Sequence, residues 1–306
     1  MAEEVVAWFD RITPRAVPDH LVRGPDPARP RVRFADVLTR YARVFARNLP
    51  RYKLAFAPMR HGPGNKYEEY FAMFTFTIFI YEEIGGVCYD EDSVLDKALL
   101  LAFIDLIVDD PRMGIETAFR VGFHVFRGAP CEVPAEIRED TDHVRRVVSA
   151  SSDKEGLFRY MIELGEVEKR LAACASGDYR DLRLVSNCKM LLGMFDWPDP
   201  EPVYALNCAG VVTDDVLDLA TDETTYITTA NIDAYAGKAA ASLEALNAHL
   251  PYDLGEYTPL YAMGLRILAR AALEAPDDAR LAFSGARRVG VCLAVLCIVR
   301  MKPATT

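Results

Sequence analysis

Aspartates at helical spacing are the residues of this sequence best suited to chemistry. Within the segment VVTDDVLDLATDE, Asp214, Asp218 and Asp222 follow one another at intervals of four residues, which places their carboxylates on one face of a helix. Like charges at this spacing repel one another, so the pattern favours a bound cation. Mg²⁺ is the natural choice because it prefers oxygen ligands and bridges carboxylates to phosphate oxygens. With the adjoining Asp215, these aspartates form what we call the second acidic group, and we predict that all of its members are metal ligands.

A first acidic group, made of Asp105, Asp109 and Asp110, ends the apolar segment LDKALLLAFIDLIVDD. Either group could simply end a helix, at solvent or in a turn, but apolar residues lead directly into both, and buried carboxylates need partners. We therefore predict one cavity in which Mg²⁺ ions held by both groups surround a diphosphate and neutralise its charge as it leaves. The predicted catalytic residues of that cavity are Asp109, Asp110, Asp214 and Asp218.

The elements that must position these aspartates are helices. Residues 1–33 are predicted to form an extended arm, because proline and arginine are frequent in 16–33. Residues 34–306 are predicted to form a single all-α domain, with strand-like alternation limited to TTYITTA at 224–230, which we interpret as a loop or helix start. The helices are predicted at 34–48 (closed by Leu49-Pro50), 66–83 (closed by the glycine turn 84–86), 92–110, 114–126, 135–150, 154–175, 179–194, 202–221, 232–249, 258–273 and 279–299.

Composition narrows the class of partner and the compartment. The net charge of -10 argues against nucleic acid, which requires a basic face. The seven cysteines show no metal-binding spacing, so we interpret them as reduced thiols of a cytoplasmic protein. The N-terminus MAEEVVAWFD lacks the pattern of a signal peptide, and no apolar run approaches the ~20 residues of a membrane-spanning helix.

Motifs in residues 50–265 resemble, in order, those of the trans-isoprenyl diphosphate synthases and the related class I terpene synthases. The segment 212–222 resembles the second aspartate-rich motif of that family, and TTYITTANIDAYAGKAAASLEALNAHLP resembles the segment that follows it. Upstream, Gly64-Asn65-Lys66, a helix, the Gly85-Gly86 turn and the helix with the first acidic group keep the family order. The resemblance implies an all-α bundle of the isoprenoid synthase type that forms a homodimer.

The resemblance also implies residues that bind the diphosphate, and it shows departures. Lys189 falls where the family places a diphosphate-contacting lysine, whereas Lys66 is what is left of a basic trio, with Tyr67 and Glu69 at the two arginine positions. After Asp110 the third aspartate of the first motif is missing, and Asp105 and Glu116 are the candidates to replace it. The predicted diphosphate-binding residues are Lys66, Arg112 and Lys189.

Three functions follow from this pattern. The first is a Mg²⁺-dependent terpene synthase that ionises geranyl, farnesyl or geranylgeranyl diphosphate to give a hydrocarbon or an alcohol, and the loss of the basic trio favours it. The second is a chain-elongating prenyltransferase in which Arg60, His61 and Arg112 bind isopentenyl diphosphate. The third is a non-catalytic regulatory subunit of such a synthase, which an eroded first motif also fits.

Overall fold

The computed structural model describes residues 34–62, 89–173, 200–219, 227–249 and 258–274, with short pieces of 66–78 and 189–194. The regular structure in these residues is helical throughout, which confirms the predicted all-α class. The arm 1–33, the glycine turn 84–86 and the helix predicted at 279–299 lie outside the described residues. Within the described part of the chain, no helix has the length and apolarity required to cross a membrane.

The helices lie close to their predicted positions. Residues 66–68, 70–71, 74–75 and 78, and residues 189–190 and 192–194, are also helical. The main helices are α1 (Phe34–Ala55), α2 (Glu91–Val108), α3 (Gly114–Arg127), α4 (Arg138–Ala150, preceded by a 3₁₀ turn at Ala135–Ile137), α5 (Lys154–Ala173), α6 (Pro200–Asp218), α7 (Ile232–Asn247) and α8 (Thr258–Glu274).

The chain divides into two compact units, each with its own core. The α2–α5 unit comprises Arg43–Ile78 and Gly86–Pro200, and the α6–α8 unit comprises Met1–Ala42, Phe79–Gly85 and Glu201–Thr306. The first acidic group belongs to the α2–α5 unit. The second belongs to the α6–α8 unit.

Helix α2 is the central helix of its unit, and it packs against α3, α4 and α5. The apolar side chains of α2 itself point to all sides of the helix, and a helix of that kind is stable only when other elements enclose it. Asp90 begins the helix by accepting the backbone N–H of Asp92 at 3.0 Å, a typical N-cap. The buried apolar side chains of α2 are Val94, Leu95, Ala98, Leu99, Leu100, Ala102, Phe103, Ile104, Leu106 and Ile107.

The prediction that Leu49-Pro50 ends the first helix is wrong, because α1 continues through Pro50 to Ala55. Proline removes one backbone hydrogen bond and crowds the preceding turn, but aromatic packing on both sides of it holds the helix together. The ring of Phe45 lies 5.1 Å from that of Phe71, and the ring of Tyr52 lies 4.2 Å from the same Phe71. These contacts come from a distant part of the chain and are not visible in the local sequence.

The core of the α6–α8 unit is built from small and branched side chains. On α6 the buried face comprises Ala205, Ala209, Val212 and Val216, a spacing of three and four residues that matches the helical period. The hydroxyls of Thr213 and Tyr261 both donate to the Ala209 carbonyl oxygen at 2.9 Å, which joins α6 to α8. The α7 and α8 members of the core are Ile232, Ala236, Ala239, Leu243, Leu246, Tyr261, Ala262, Leu265, Leu268, Ala269 and Ala272.

The segment with strand-like alternation precedes α7 and forms no strand where it is described. Ile227 is buried, and residues 229–231 form a turn. The Thr228 N–H donates to the side-chain oxygen of Asn231 at 2.7 Å, which stabilises that turn. Residues 224–226 lie outside the described residues.

Candidate functional site

The first acidic group lies where α2 ends. Val108 is the last helical residue, and Asp109 caps the helix with its backbone N–H donating to the Asp105 carbonyl oxygen at 2.9 Å. Asp109 is exposed, and Asp105 is half-buried. Asp110 lies beyond the helix, in the turn that leads to α3. The helix therefore ends two residues before the end predicted for 92–110, and Asp109 and Asp110 lie at the helix end, which was the alternative interpretation of this group.

Asp105 accepts a hydrogen bond from the hydroxyl of Tyr70. Tyr70 belongs to the helical residues between 66 and 78, and its ring stacks on that of Phe74 with the centroids 6.3 Å apart. The hydroxyl therefore supplies a donor to one oxygen of the carboxylate. The sequence did not predict this partner for Asp105.

Asp110 is bound by Arg112 through both of its carboxylate oxygens. Oδ1 accepts the Arg112 backbone N–H at 2.9 Å and its Nε–H at 3.0 Å, and Oδ2 accepts Nη2–H at 2.7 Å. Hydrogen bonds from Arg112 lower the pKa of Asp110 to about 2. The second terminal nitrogen of Arg112, Nη1, lies 3.6 Å from a carboxylate oxygen of Glu136. The arginine predicted to bind a diphosphate is thus paired with an aspartate predicted to bind metal.

His61 is a buried neighbour of this group whose position could not be inferred from the sequence. Its Nε2 lies 3.3 Å from the Leu106 carbonyl oxygen and 3.9 Å from Asp110 Oδ2. The ring fills space at the α2 end and provides a donor there. The five histidines of the sequence show no metal-ligand spacing, and His61 was predicted only as a residue that would bind isopentenyl diphosphate in a chain-elongating enzyme.

Sequence reasoning also missed Asp140, a carboxylate on α4 that is 1 % exposed. It accepts the backbone N–H groups of Arg60 and His61 at 2.7 and 2.6 Å, and the Tyr67 hydroxyl at 3.2 Å. Burial, followed by the charge of Asp140, raises the pKa of Tyr67 far above its usual range. A signal was present in the sequence, because Asp140 lies on the same helical face as the buried Val144 and Val148.

The two predicted lysines differ in their surroundings. Lys66 lies near the C-terminal end of α2, because Gly62 has both Lys66 and Leu106 of α2 as neighbours. A Cβ placed on Gly62 would stand 3.1 Å from the Leu106 side chain and 3.5 Å from the Lys66 Cβ. Lys189 is exposed, at the start of the helical residues 189–190 and 192–194. The structure therefore brings Lys66 to the same end of α2 as Asp105 and Asp110.

The second acidic group lies where α6 ends. The predicted helix 202–221 is shorter than expected, because α6 ends at Asp218. Asp214 and Asp218 are thus one helical turn apart, whereas Asp222 and the side chain of Asp218 lie outside the described residues. Asp214 is half-buried, and the adjoining Asp215 is only 4 % exposed.

The burial of Asp215 follows from a second enclosed face on α6. Val203, Asn207, Val211 and Asp215 are four residues apart, and all of them are buried, although none belongs to the core shared with α7 and α8. Helix α6 is therefore enclosed on two sides. The prediction that the aspartates follow a buried helical segment is confirmed.

Both acidic groups carry carboxylate oxygens, the donors that Mg²⁺ prefers. In the first group Asp110 is bound by Arg112 and Asp105 by Tyr70, so a metal ion there would compete with these partners. Among the described residues, no three or more His, Cys, Asp or Glu side chains are grouped as a metal site would require. Each group is described within its own unit, so their meeting at one cavity stays a prediction.

No protein-family model, curated protein or solved structure matches this chain. The resemblance to isoprenoid synthases therefore depends on the motifs alone. The described helices establish the all-α class. The isoprenoid synthase type of bundle stays a prediction.

Proposed function

We propose that this protein is a Mg²⁺-dependent class I terpene synthase acting on an allylic prenyl diphosphate. The observation that supports the proposal is helix α6, which ends at Asp218 and carries the half-buried Asp214 and the buried Asp215. Carboxylates one helical turn apart supply the oxygen donors that a hard divalent cation prefers. An apolar bundle around such a site suits a hydrocarbon chain.

The roles of the residues follow from their chemistry. Asp214, Asp215, Asp218 and Asp222 would hold Mg²⁺, and Lys66 and Lys189 would bind diphosphate oxygens as point charges. Bound Mg²⁺ would neutralise the charge that develops on the departing diphosphate. The apolar helices would limit the access of water to the resulting carbocation, which would then lose a proton to give a hydrocarbon or be captured by a single water molecule, with loss of a proton, to give an alcohol.

The experiment is to incubate the purified protein with Mg²⁺ and geranyl, farnesyl or geranylgeranyl diphosphate, with and without isopentenyl diphosphate, and to analyse the products by mass spectrometry. Hydrocarbons or alcohols formed without isopentenyl diphosphate would support the proposal. Longer diphosphates that form only in its presence would replace it with a chain-elongating prenyltransferase.

The pairing of Asp110 with Arg112 favours a second candidate, a non-catalytic regulatory subunit. A bound arginine at the first acidic group makes that group poorly suited to metal chemistry. A regulatory subunit would give no product with any of the three substrates. It would bind an active prenyl diphosphate synthase and change the chain length of that enzyme's products.

We also propose a homodimer located in the cytoplasm. Cys131 and Cys208, the cysteines among the described residues, are free thiols, which is consistent with a reducing compartment. Sedimentation equilibrium of the purified chain tests the dimer, because a mass near twice the 34.1 kDa of one chain is expected.

A further inference from the structure

The guanidinium of Arg112 forms a bidentate ion pair with the carboxylate of Asp110. Two side-chain N–H groups, Nε and Nη2, donate to the two oxygens at 3.0 and 2.7 Å, which is the bidentate pairing that only arginine provides. The Arg112 backbone N–H adds a third hydrogen bond to Oδ1. Each oxygen of Asp110 therefore already has a donor before any ligand binds.

The turn that holds this pair is fixed by the backbone as well. The carbonyl oxygen of Asp110 accepts the N–H groups of Met113 at 2.9 Å and Gly114 at 3.1 Å. Gly114 has a φ of +67°, a conformation that suits glycine, and it begins α3. The side-chain pair and the turn thus stabilise one another, and a metal ion that bound both carboxylate oxygens of Asp110 would have to displace the Arg112 side chain.

The other aspartates of the first acidic group have different surroundings. Asp105 is bonded to the Tyr70 hydroxyl, and Asp109 is the exposed cap of α2. The His61 ring lies nearby, with its Nε2 3.9 Å from Asp110 Oδ2 and 3.3 Å from the Leu106 carbonyl oxygen. The group is therefore supplied with a guanidinium and a hydroxyl, both from the chain itself.

We propose that Arg112 takes the place of a divalent cation at the first acidic group. Arg112 is two residues from Asp110, so its effective concentration is on the order of mM or higher without any ligand being added. The Asp110–Arg112 pair then holds the turn between α2 and α3 without a metal ion. The inference concerns binding at one turn and does not depend on the proposed enzyme activity.

The test is a titration of the full chain with Mn²⁺. Binding is measured as the loss of the electron paramagnetic resonance signal of the free ion. Asp110→Asn should bind the same number of Mn²⁺ ions as wild type, with Kd values within about twofold. Arg112→Gln should gain one further Mn²⁺ site, or bind at least about tenfold more tightly, because it leaves the acidic group without its counterion. The double variant should lose that gain. Glu136→Gln is the matched control, since it removes a charge 3.6 Å from Arg112 but leaves the pair with Asp110 intact.

Two results would overturn the inference. One is loss of a wild-type Mn²⁺ site in Asp110→Asn, which would make Asp110 a metal ligand. The other is a folded Arg112→Gln protein with unchanged Mn²⁺ binding. If Arg112→Gln does not fold, Arg112→Lys replaces it in the test. This variant keeps the charge but not the bidentate geometry, so it should give an intermediate gain in Mn²⁺ binding. Failure of wild type to bind any Mn²⁺ would count against the proposed function alone, because the gain in Arg112→Gln is measured independently.

Discussion

The backbone N–H of His61 donates a 2.6 Å hydrogen bond to Asp140 Oδ2, so a carboxylate on α4 holds the loop that follows α1. A second contact from the same helix strengthens this connection, since His143 Nε2 lies 2.9 Å from the Ala55 carbonyl oxygen. The loop in turn places His61 beside Asp110. Asp140 thus positions one side of the first acidic group.

We predict that Asp140→Ala lowers the free energy of unfolding by about 3 kcal/mol or more. Its three donors, the N–H groups of Arg60 and His61 and the Tyr67 hydroxyl, would lose their partner in a buried place. Urea unfolding followed by circular dichroism measures the change. Asp142→Asn, on the exposed side of the same helix, should change the free energy by less than about 0.5 kcal/mol. Similar values for both variants would contradict the positioning role of Asp140.

Replacing Asp214 and Asp218 together with Asn should abolish Mg²⁺-dependent turnover of the prenyl diphosphate while leaving the helical content unchanged. The amides keep the shape of the side chains but remove the charge that holds the cation. Product analysis by mass spectrometry and far-ultraviolet circular dichroism provide the two measurements. Glu201→Gln, exposed at the opposite end of α6, is the control and should retain activity. Full activity in the double variant would show that the second acidic group is not the metal site.

Asp96 makes stability depend on pH in a defined direction. Burial raises the pKa of Asp96 from 3.8 to about 6. A hydrogen bond with Ser151 lowers the pKa and so opposes this shift, whereas the negative charges of Asp92 and Asp90 add to it. Between these two values the native state binds more protons than the unfolded state, so the contribution of Asp96 to stability falls as the pH rises, and the loss is complete above about pH 6.

Asp96→Asn should therefore be more stable than wild type at pH 7.5 and should lose much of the advantage near pH 4, where Asp96 is protonated in the native state and partly protonated in the unfolded state. Urea midpoints measured at several pH values between 4 and 8 test this. Ser151→Ala should shift the transition to higher pH, because it removes the hydrogen bond that lowers the pKa of Asp96. A difference between Asp96→Asn and wild type that does not vary with pH would refute the assignment.

Two helical glycines should respond in opposite directions to the same substitution. A Cβ on Gly165 would stand 2.1 Å from the Cζ atom of Phe119, whereas a Cβ on Gly237 would meet nothing within 4 Å. Gly165→Ala should therefore lower the free energy of unfolding by about 1–3 kcal/mol through overpacking. Gly237→Ala should raise it by about 0.5–1 kcal/mol, because alanine loses less backbone entropy in a helix. Urea unfolding measures both, and equal effects would show that Phe119 does not pack on Gly165 as described.

Some features of the fold and site could be predicted because their causes are local. The apolar segment ending in Asp109-Asp110 predicts the enclosed helix α2, and the spacing of Ala205, Ala209, Val212 and Val216 predicts a buried face on α6. The bond between Asp110 and Arg112 is local too, and an aspartate two residues before an arginine, with proline between them, was a signal that could have been used.

Other features depend on residues far apart in the chain. The residues next to Pro50 in the sequence predict that the helix ends there. In the structure α1 continues, because Phe71 packs against Phe45 before the proline and Tyr52 after it. The buried role of Asp140 depends on Arg60, His61 and Tyr67, which no local pattern associates with α4.

The sequence by itself determined that this protein is all-α, where most helices lie, and that aspartates end two buried helices. Those properties follow from helical periodicity and capping, which act over one or two turns. Only the tertiary structure decided which carboxylates are enclosed and what donates to them: Tyr70 to Asp105, and the loop after α1 to Asp140. The physical reason is that a hydrogen bond between distant residues forms only after packing has brought its donor and acceptor within about 3 Å of each other.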